Sequence, residues 1–264
     1  MGERNPFLVF DWEYSDANEK VGARYEALRQ RPSETSVLMD LVNADSLVSY
    51  ALWSELLKGH PVGELWLETN TDLLATIYLA YGGFFRQALT VLRAWFEIAV
   101  YGVYYSAHYG QLSERYEQWR QGMRNAPANM QVLARALATR QDMVTPAVEA
   151  DFGGKLVPIY GFLSEQVHAQ GLDVHDLQDG RDNVPRFLPR SFDIWYQKAL
   201  ESFNSVSFLY RVFYPKEIAT YLSKSKAEYE RSQELAKVLS PLMPDFGNLL
   251  ADVWNMLGPR LNGL

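Results

Sequence analysis

The chain has 264 residues, 48% apolar and 14% aromatic, with 7 Trp, 16 Tyr and 13 Phe, which is enough to build a packed core and excludes a disordered chain. Cysteine is absent, so disulfides, thiolate zinc sites, iron–sulfur clusters and cysteine nucleophiles are excluded. The formal charge of −7 works against a general nucleic-acid coat and leaves room only for a local basic contact.

Residues 1–32 mix aromatic and charged residues without period and read as an N-terminal arm, with one helical piece at 18–29. The first residues lack the apolar run of a signal peptide, and with the missing cysteines this makes the cytoplasm the expected compartment. Residues 33–264 read as one helical-bundle domain, with a core at 70–170 and C-terminal helices at 191–258. Ser33 is the expected N-cap of a helix carrying Val37, Leu38, Leu41, Val42, Leu47, Val48, Ala51, Leu52 and Leu56 at helical spacing up to Gly59.

Asn70, Thr71 and Asp72 read as the start of one long helix over 70–109, closed by Gly110 and interrupted at Gly82-Gly83, where a kink or a close backbone approach is expected. Its apolar stretch is long enough to span a bilayer, but Arg86, Arg93 and Glu97 sit at its middle, so it reads as a buried helix and no membrane span is expected. Ser113 and Glu114 begin a shorter helix to 123, Asn129 another to 141, and Thr145-Pro146 a third to about 170, with Gly153-Gly154 and Pro158 inside it. Residues 171–190 form an acidic irregular loop without calcium-loop spacing. Ser191 opens an aromatic helix to Tyr214, read as core or dimer interface; Pro215 opens a charged helix to 239, and Asp245 a last one to 257. No run alternates with period two, so the fold class is all-α: an irregular bundle of about seven to nine helices around a long buried central one.

At 100° per residue, Arg86, Thr90, Arg93, Glu97, Tyr101, Tyr104 and His108 fall within roughly 80° of one another. In a buried helix such a stripe holds only where its charges are paired. Arg93 and Glu97 are one turn apart, in the weaker orientation for local helix stabilisation. Two readings follow: a brace to a neighbouring helix, or a lining that holds an anionic or polar ligand through Arg86 and Arg93. Tyr160, Ser164 and His168 share a face at i, i+4 and i+8, and if that face meets the stripe then Arg93, Glu97 and His168 converge as the candidate catalytic group. The ligand-binding candidates are Arg86, Arg93, Glu97, Tyr101, Tyr160, Ser164 and His168. No phosphate-binding glycine loop, nucleophile elbow or zinc helix is present, so no metal or cofactor is expected.

The run from Tyr78 to Glu97, Tyr101 to Tyr105, Glu117 to Gly122 and Tyr160 to His168 contains a Gly-aromatic-aromatic-Arg stretch, then Leu-Arg-x-x-x-Glu, then Tyr-x-x-Leu-Ser-x-x-x-His. In these motifs, which cover about a third of the chain, it resembles a family of uncharacterised bacterial HEPN-like helical proteins that accompany anti-phage or mobile loci. The resemblance implies a helical bundle in a defence or stress setting. Active HEPN ribonucleases carry Arg followed by His after four to six intervening residues, and none of the four histidines here has an arginine at that distance upstream. The expected function is therefore binding, of a partner protein or a small polar ligand at the Arg93 cluster, by a chain expected to form a homodimer. The alternative is a diverged HEPN-like ribonuclease or RNA-binding enzyme using Arg93, Glu97 and His168.

Overall fold

A computed structural model describes residues 26–56, 62–123, 129–139, 146–167 and 188–258, and of 146–150 the backbone alone. The chain is all-helical, with no strand among the described residues. Ten helices follow one helical turn at 26–29: α1 Pro32–Leu56, α2 Gly63–Tyr81, α3 Phe85–Ala107, α4 Tyr109–Arg120, α5 Met130–Ala138, α6 Pro146–Val167, α7 Pro189–Phe213, α8 Pro215–Leu222, α9 Lys226–Leu239 and α10 Pro244–Leu257. The excess over seven to nine arises because two expected helices are each broken in two.

The first break corrects the long helix over 70–109. The chain reverses at Gly82-Gly83, where Gly83 adopts φ 76°, a left-handed conformation that costs an L-residue with a Cβ about 1–2 kcal/mol. Phe84 N–H donates to the Leu79 carbonyl at 2.9 Å and Gly83 N–H to the Ala80 carbonyl at 3.0 Å, the paired bonds of a Schellman stop. Helices α2 and α3 thus form an antiparallel hairpin. Its legs touch near the turn, where Thr76 Oγ1 donates to the Ala88 carbonyl at 2.7 Å. They touch again at the open end, where a Cβ on Gly102 would fall 2.6 Å from Trp66 Nε1. Nor does the helix start at 70: Leu65, Trp66, Thr69, Leu73, Thr76, Ile77 and Ala80 bury one face from the outset. Asn70 lies inside α2 and reaches across to α1, donating to Ser46 Oγ at 2.7 Å.

The second break falls at Ser223–Ser225, where the Ser225 hydroxyl accepts from Glu228 N–H at 3.3 Å and starts α9. Three smaller corrections concern helix ends. Helix α1 begins at Pro32 rather than after Ser33, with the Arg31 carbonyl accepting the first helical bond from Thr35. Gly110 lies in the first turn of α4, which begins directly after α3 at His108, and Ser191 lies inside the first turn of α7. Asn129 does cap α5, its side chain accepting from Val132 N–H at 3.1 Å.

Helix α3 packs against α2, α4, α5, α6 and α7, while α1 lies across α2, α8 and α9. The aromatic helix α7 is core: Phe192, Trp195, Phe203, Phe208, Tyr210 and Phe213 are all buried. Its Trp195 indole donates to Thr76 Oγ1 at 2.9 Å, so one threonine links α7, α2 and α3. No helix among the described residues is long and apolar enough to cross a membrane.

The glycines separate by environment. Gly83→Ala places a Cβ at positive φ and is expected to lower stability by about 1–2 kcal/mol. Gly153→Ala, inside α6 with open space around the new Cβ, is expected to raise it by about 0.5–1 kcal/mol. Urea unfolding of the two variants checks both signs.

Candidate functional site

The stripe on α3 meets α6 in antiparallel register. Arg86 Nη2 donates to the Val167 carbonyl at 3.5 Å, and two turns along α3 Arg93 Nη2 donates to Tyr160 Oη at 3.0 Å. The same nitrogen reaches Glu97 Oε1 at 3.0 Å. The Arg93 guanidinium also lies 5.1 Å from the Tyr160 ring centre, so one tyrosine offers both its hydroxyl and its π face. This register brings Arg93, Glu97 and Tyr160 into one cluster and sets Ser164 one turn along α6, level with Leu89 and Thr90.

Arg93 and Glu97 are four-fifths buried, at 20% and 22% side-chain exposure, so solvent screening is reduced and the pairing carries weight. Burial works against the Arg93 charge, but Glu97 and the Tyr160 hydroxyl outweigh it and the guanidinium pKa is raised. Two polar atoms of this contact, Arg93 Nε and Ser164 Oγ, are buried without a hydrogen-bond partner in the structure. Arg86 and Thr90 sit at the exposed edge; the Thr90 hydroxyl turns back to the Arg86 carbonyl at 2.9 Å. Tyr101 is buried, its ring edge against Trp119 at 5.8 Å. Burial first, then the charge of Glu97, holds its phenol well above the ordinary range. The stripe ends with Tyr104 and His108, whose rings lie 5.5 Å apart at the junction of α3 and α4. There a cleft of about 670 Å³, lined by residues 106–111 and Thr139, opens apart from the Arg93 cluster. His168, on which the convergence with Arg93 and Glu97 rests, lies outside the described residues, as do residues 171–187 of the acidic loop.

A second polar centre escaped the sequence reading. Asp45 is 1% exposed, in the buried face of α1 among Leu41, Ala44, Val48 and Leu52. Asn70 of α2 donates to its Oδ2 at 3.4 Å, while Oδ1 has no hydrogen bond in the structure. The Trp95 indole of α3 and the Tyr210 phenol of α7 face the carboxyl without reaching hydrogen-bond geometry. Burial pushes the Asp45 carboxyl up to about 7, against the pull of Asn70 and then Trp95. The one signal available in the sequence was an acidic residue at a core position of an otherwise apolar helical period.

Among the described residues, no group of acidic and histidine side chains stands close enough to hold a metal ion. No family model matches the chain, and neither the curated proteins nor the solved structures contain a similar one.

The pH dependence of Asp45 has a definite sign. The folded state binds the extra proton between pH 3.8 and about 7, so its contribution to stability falls as pH rises through that window and is level above it. Asp45→Asn removes that slope and is expected to stabilise the protein at pH 8, by up to about 4 kcal/mol. Denaturant titrations of both proteins at pH 5 and pH 8 measure this; parallel curves with equal offsets would contradict it.

Proposed function

We propose that this chain is a non-catalytic binding protein, a helical bundle arranged around α3, which recognises an anionic group at the Arg86–Arg93 edge of the α3/α6 contact. The observation that carries the reading is the unequal state of the two arginines. Arg93 is held by Glu97 and Tyr160 at 3.0 Å each, whereas exposed Arg86 has only a long 3.5 Å bond to a backbone carbonyl. The first is a fixed, largely neutralised post. The second is a cation with donors to spare, one hydroxyl away from it at Thr90.

Arginine's planar fork suits carboxylate and phosphate groups, and Arg86 presents it in solvent, where an incoming anion need displace only water. Arg93 contributes by position and field. The resemblance to HEPN-like proteins supplies the setting, a cytoplasmic component of bacterial defence or stress systems, and supports a ligand that is a phosphate-bearing molecule or an acidic segment of a partner protein.

With inorganic pyrophosphate as the probe, the wild-type protein is expected to show a rise in melting temperature that shrinks between 20 and 300 mM salt. Arg86→Glu should abolish the rise while leaving the melting temperature without probe within a degree or two, and Arg86→Lys should keep part of it. An equal rise in Arg86→Glu would sink the proposal. Arg93→Ala leaves the largely buried Glu97 without its cation and is expected to cost about 1–3 kcal/mol of stability, read by urea unfolding without probe.

A further inference from the structure

Helix α6 is held differently along its length. Its first half is anchored away from α3: the Phe152 ring packs on Phe208 and Phe213 of α7, at 5.2 and 6.1 Å between centres. Lys155 pairs with Asp245 of α10, whose carboxylate also accepts from Asn204 of α7 at 3.0 Å. The second half lies on α3. Its polar contacts there are Tyr160 with Arg93 at 3.0 Å and the Val167 carbonyl with Arg86 at 3.5 Å. Ile159 and Leu163 are the buried apolar side chains of this half, and Phe162 takes the Lys198 ammonium of α7 4.8 Å from its ring centre.

The two halves join at a weak point of the helix. Pro158 has no N–H for the Gly154 carbonyl and its ring crowds that oxygen, so one helical bond is missing. Both residues are exposed, and water can serve the carbonyl as the helix bends. Gly153, Gly154 and Gly161 flank the proline with open space where a Cβ would stand, so close packing does not call for them and they lower the intrinsic stability of the helix. The buried side of the second half is incompletely satisfied as well. Ser164 Oγ and Gln166 Oε1 on α6, and Arg93 Nε beneath it on α3, are buried without a hydrogen-bond partner. Water supplies those bonds once the half moves off, which lowers the cost of opening.

We infer that residues 159–167 form a hinged cover over Arg93, which swings about Gly154–Pro158 while the first half of α6 stays docked on α7 and α10. Opening takes Tyr160 off the Arg93 guanidinium and leaves Glu97, which shares α3 with it, in place. Arg93 then has free donors facing solvent beside those of Arg86. A coupling to the ligand follows, and this part rests on the reading of Arg86 as an anion site. An anion on Arg86 takes the guanidinium that tethers the Val167 carbonyl, so binding and opening favour each other.

Because the chain has no cysteine, a single introduced thiol reports the opening. Ser164→Cys is expected to react with the thiol reagent DTNB at least tenfold faster than Ser202→Cys, a fully buried position on α7 that reads global unfolding. Adding Gly83→Ala, which weakens the whole fold, should speed the reaction of Ser202→Cys and leave that of Ser164→Cys level. Pro158→Ala restores the missing helical bond at an exposed position and should slow Ser164→Cys at least threefold. Equal rates at the two thiols overturn the inference, as does a Ser164→Cys rate that Pro158→Ala leaves unchanged. Saturating inorganic pyrophosphate should speed Ser164→Cys at least twofold. A melting temperature that rises with pyrophosphate while the thiol rate stays level or falls overturns the coupling and keeps the anion site. A protein in which neither responds loses the anion site and the coupling together, and the hinge is then decided by the thiol rates without probe.

Discussion

The reversal at Gly83 is the constraint from which the rest of the arrangement follows. With φ at 76° the backbone can stop one helix and launch the next antiparallel to it within three residues. Two apolar stretches of the chain then face each other instead of continuing into solvent. The hairpin needs small groups where its legs close: Gly102 admits the Trp66 indole, and Thr76 spends its hydroxyl on the Ala88 carbonyl instead of a bulkier contact. Once closed, it presents one side to α1, through Asn70 and Thr69, and another to α6 and α7, through Arg93 and Thr76. Both polar centres of the protein depend on it, since the Arg93 stripe and the surroundings of Asp45 are assembled from its two legs.

The sequence carried the helical class, the helix start at Asn129 and the stripe on α3, because each is a local pattern of period or turn chemistry. It did not carry the reversal. Gly82-Gly83 was legible as an interruption, but a kink and a hairpin share the same local signal and differ only in what the flanking faces bury. The start of α2 was missed for a related reason: Asn70 has the chemistry of a cap, yet burial of Leu65 and Trp66 begins the helix earlier and frees the amide for a cross-helix bond. The Ser225 cap of α9 was missed because the charge density of 215–239 hid it inside what looked like one exposed helix.

For the candidate site, spacing left two readings of Arg93 and Glu97 open, a brace to a neighbouring helix or a ligand lining, and raised the meeting of α3 with the Tyr160 face as a condition. The structure supplies that meeting and its register. What spacing could not supply is how the roles divide between the two arginines. Arg86 and Arg93 are seven residues apart on one face and look equivalent in the sequence. The partner helix makes them unequal by placing a phenol at one and only a backbone carbonyl at the other.

Arg93 and Asp45 show two solutions to placing an ionisable group inside a helical protein. Arg93 cannot shed its proton, so its burial is offset by an opposite charge one turn away and a hydroxyl from the next helix, and these over-correct for desolvation. Asp45 has no cation within reach among the described residues, and its burial is met by retention of the proton, which moves its titration to about 7. The first solution keeps the arginine charged and needs no change in its proton occupancy. The second makes the packing of α1 on the α2/α3 hairpin depend on proton activity near neutrality, because an ionised Asp45 has a single long bond from Asn70 to hold it. Any surface displayed by α1 therefore rests on a helix whose hold on the core weakens as that carboxyl ionises.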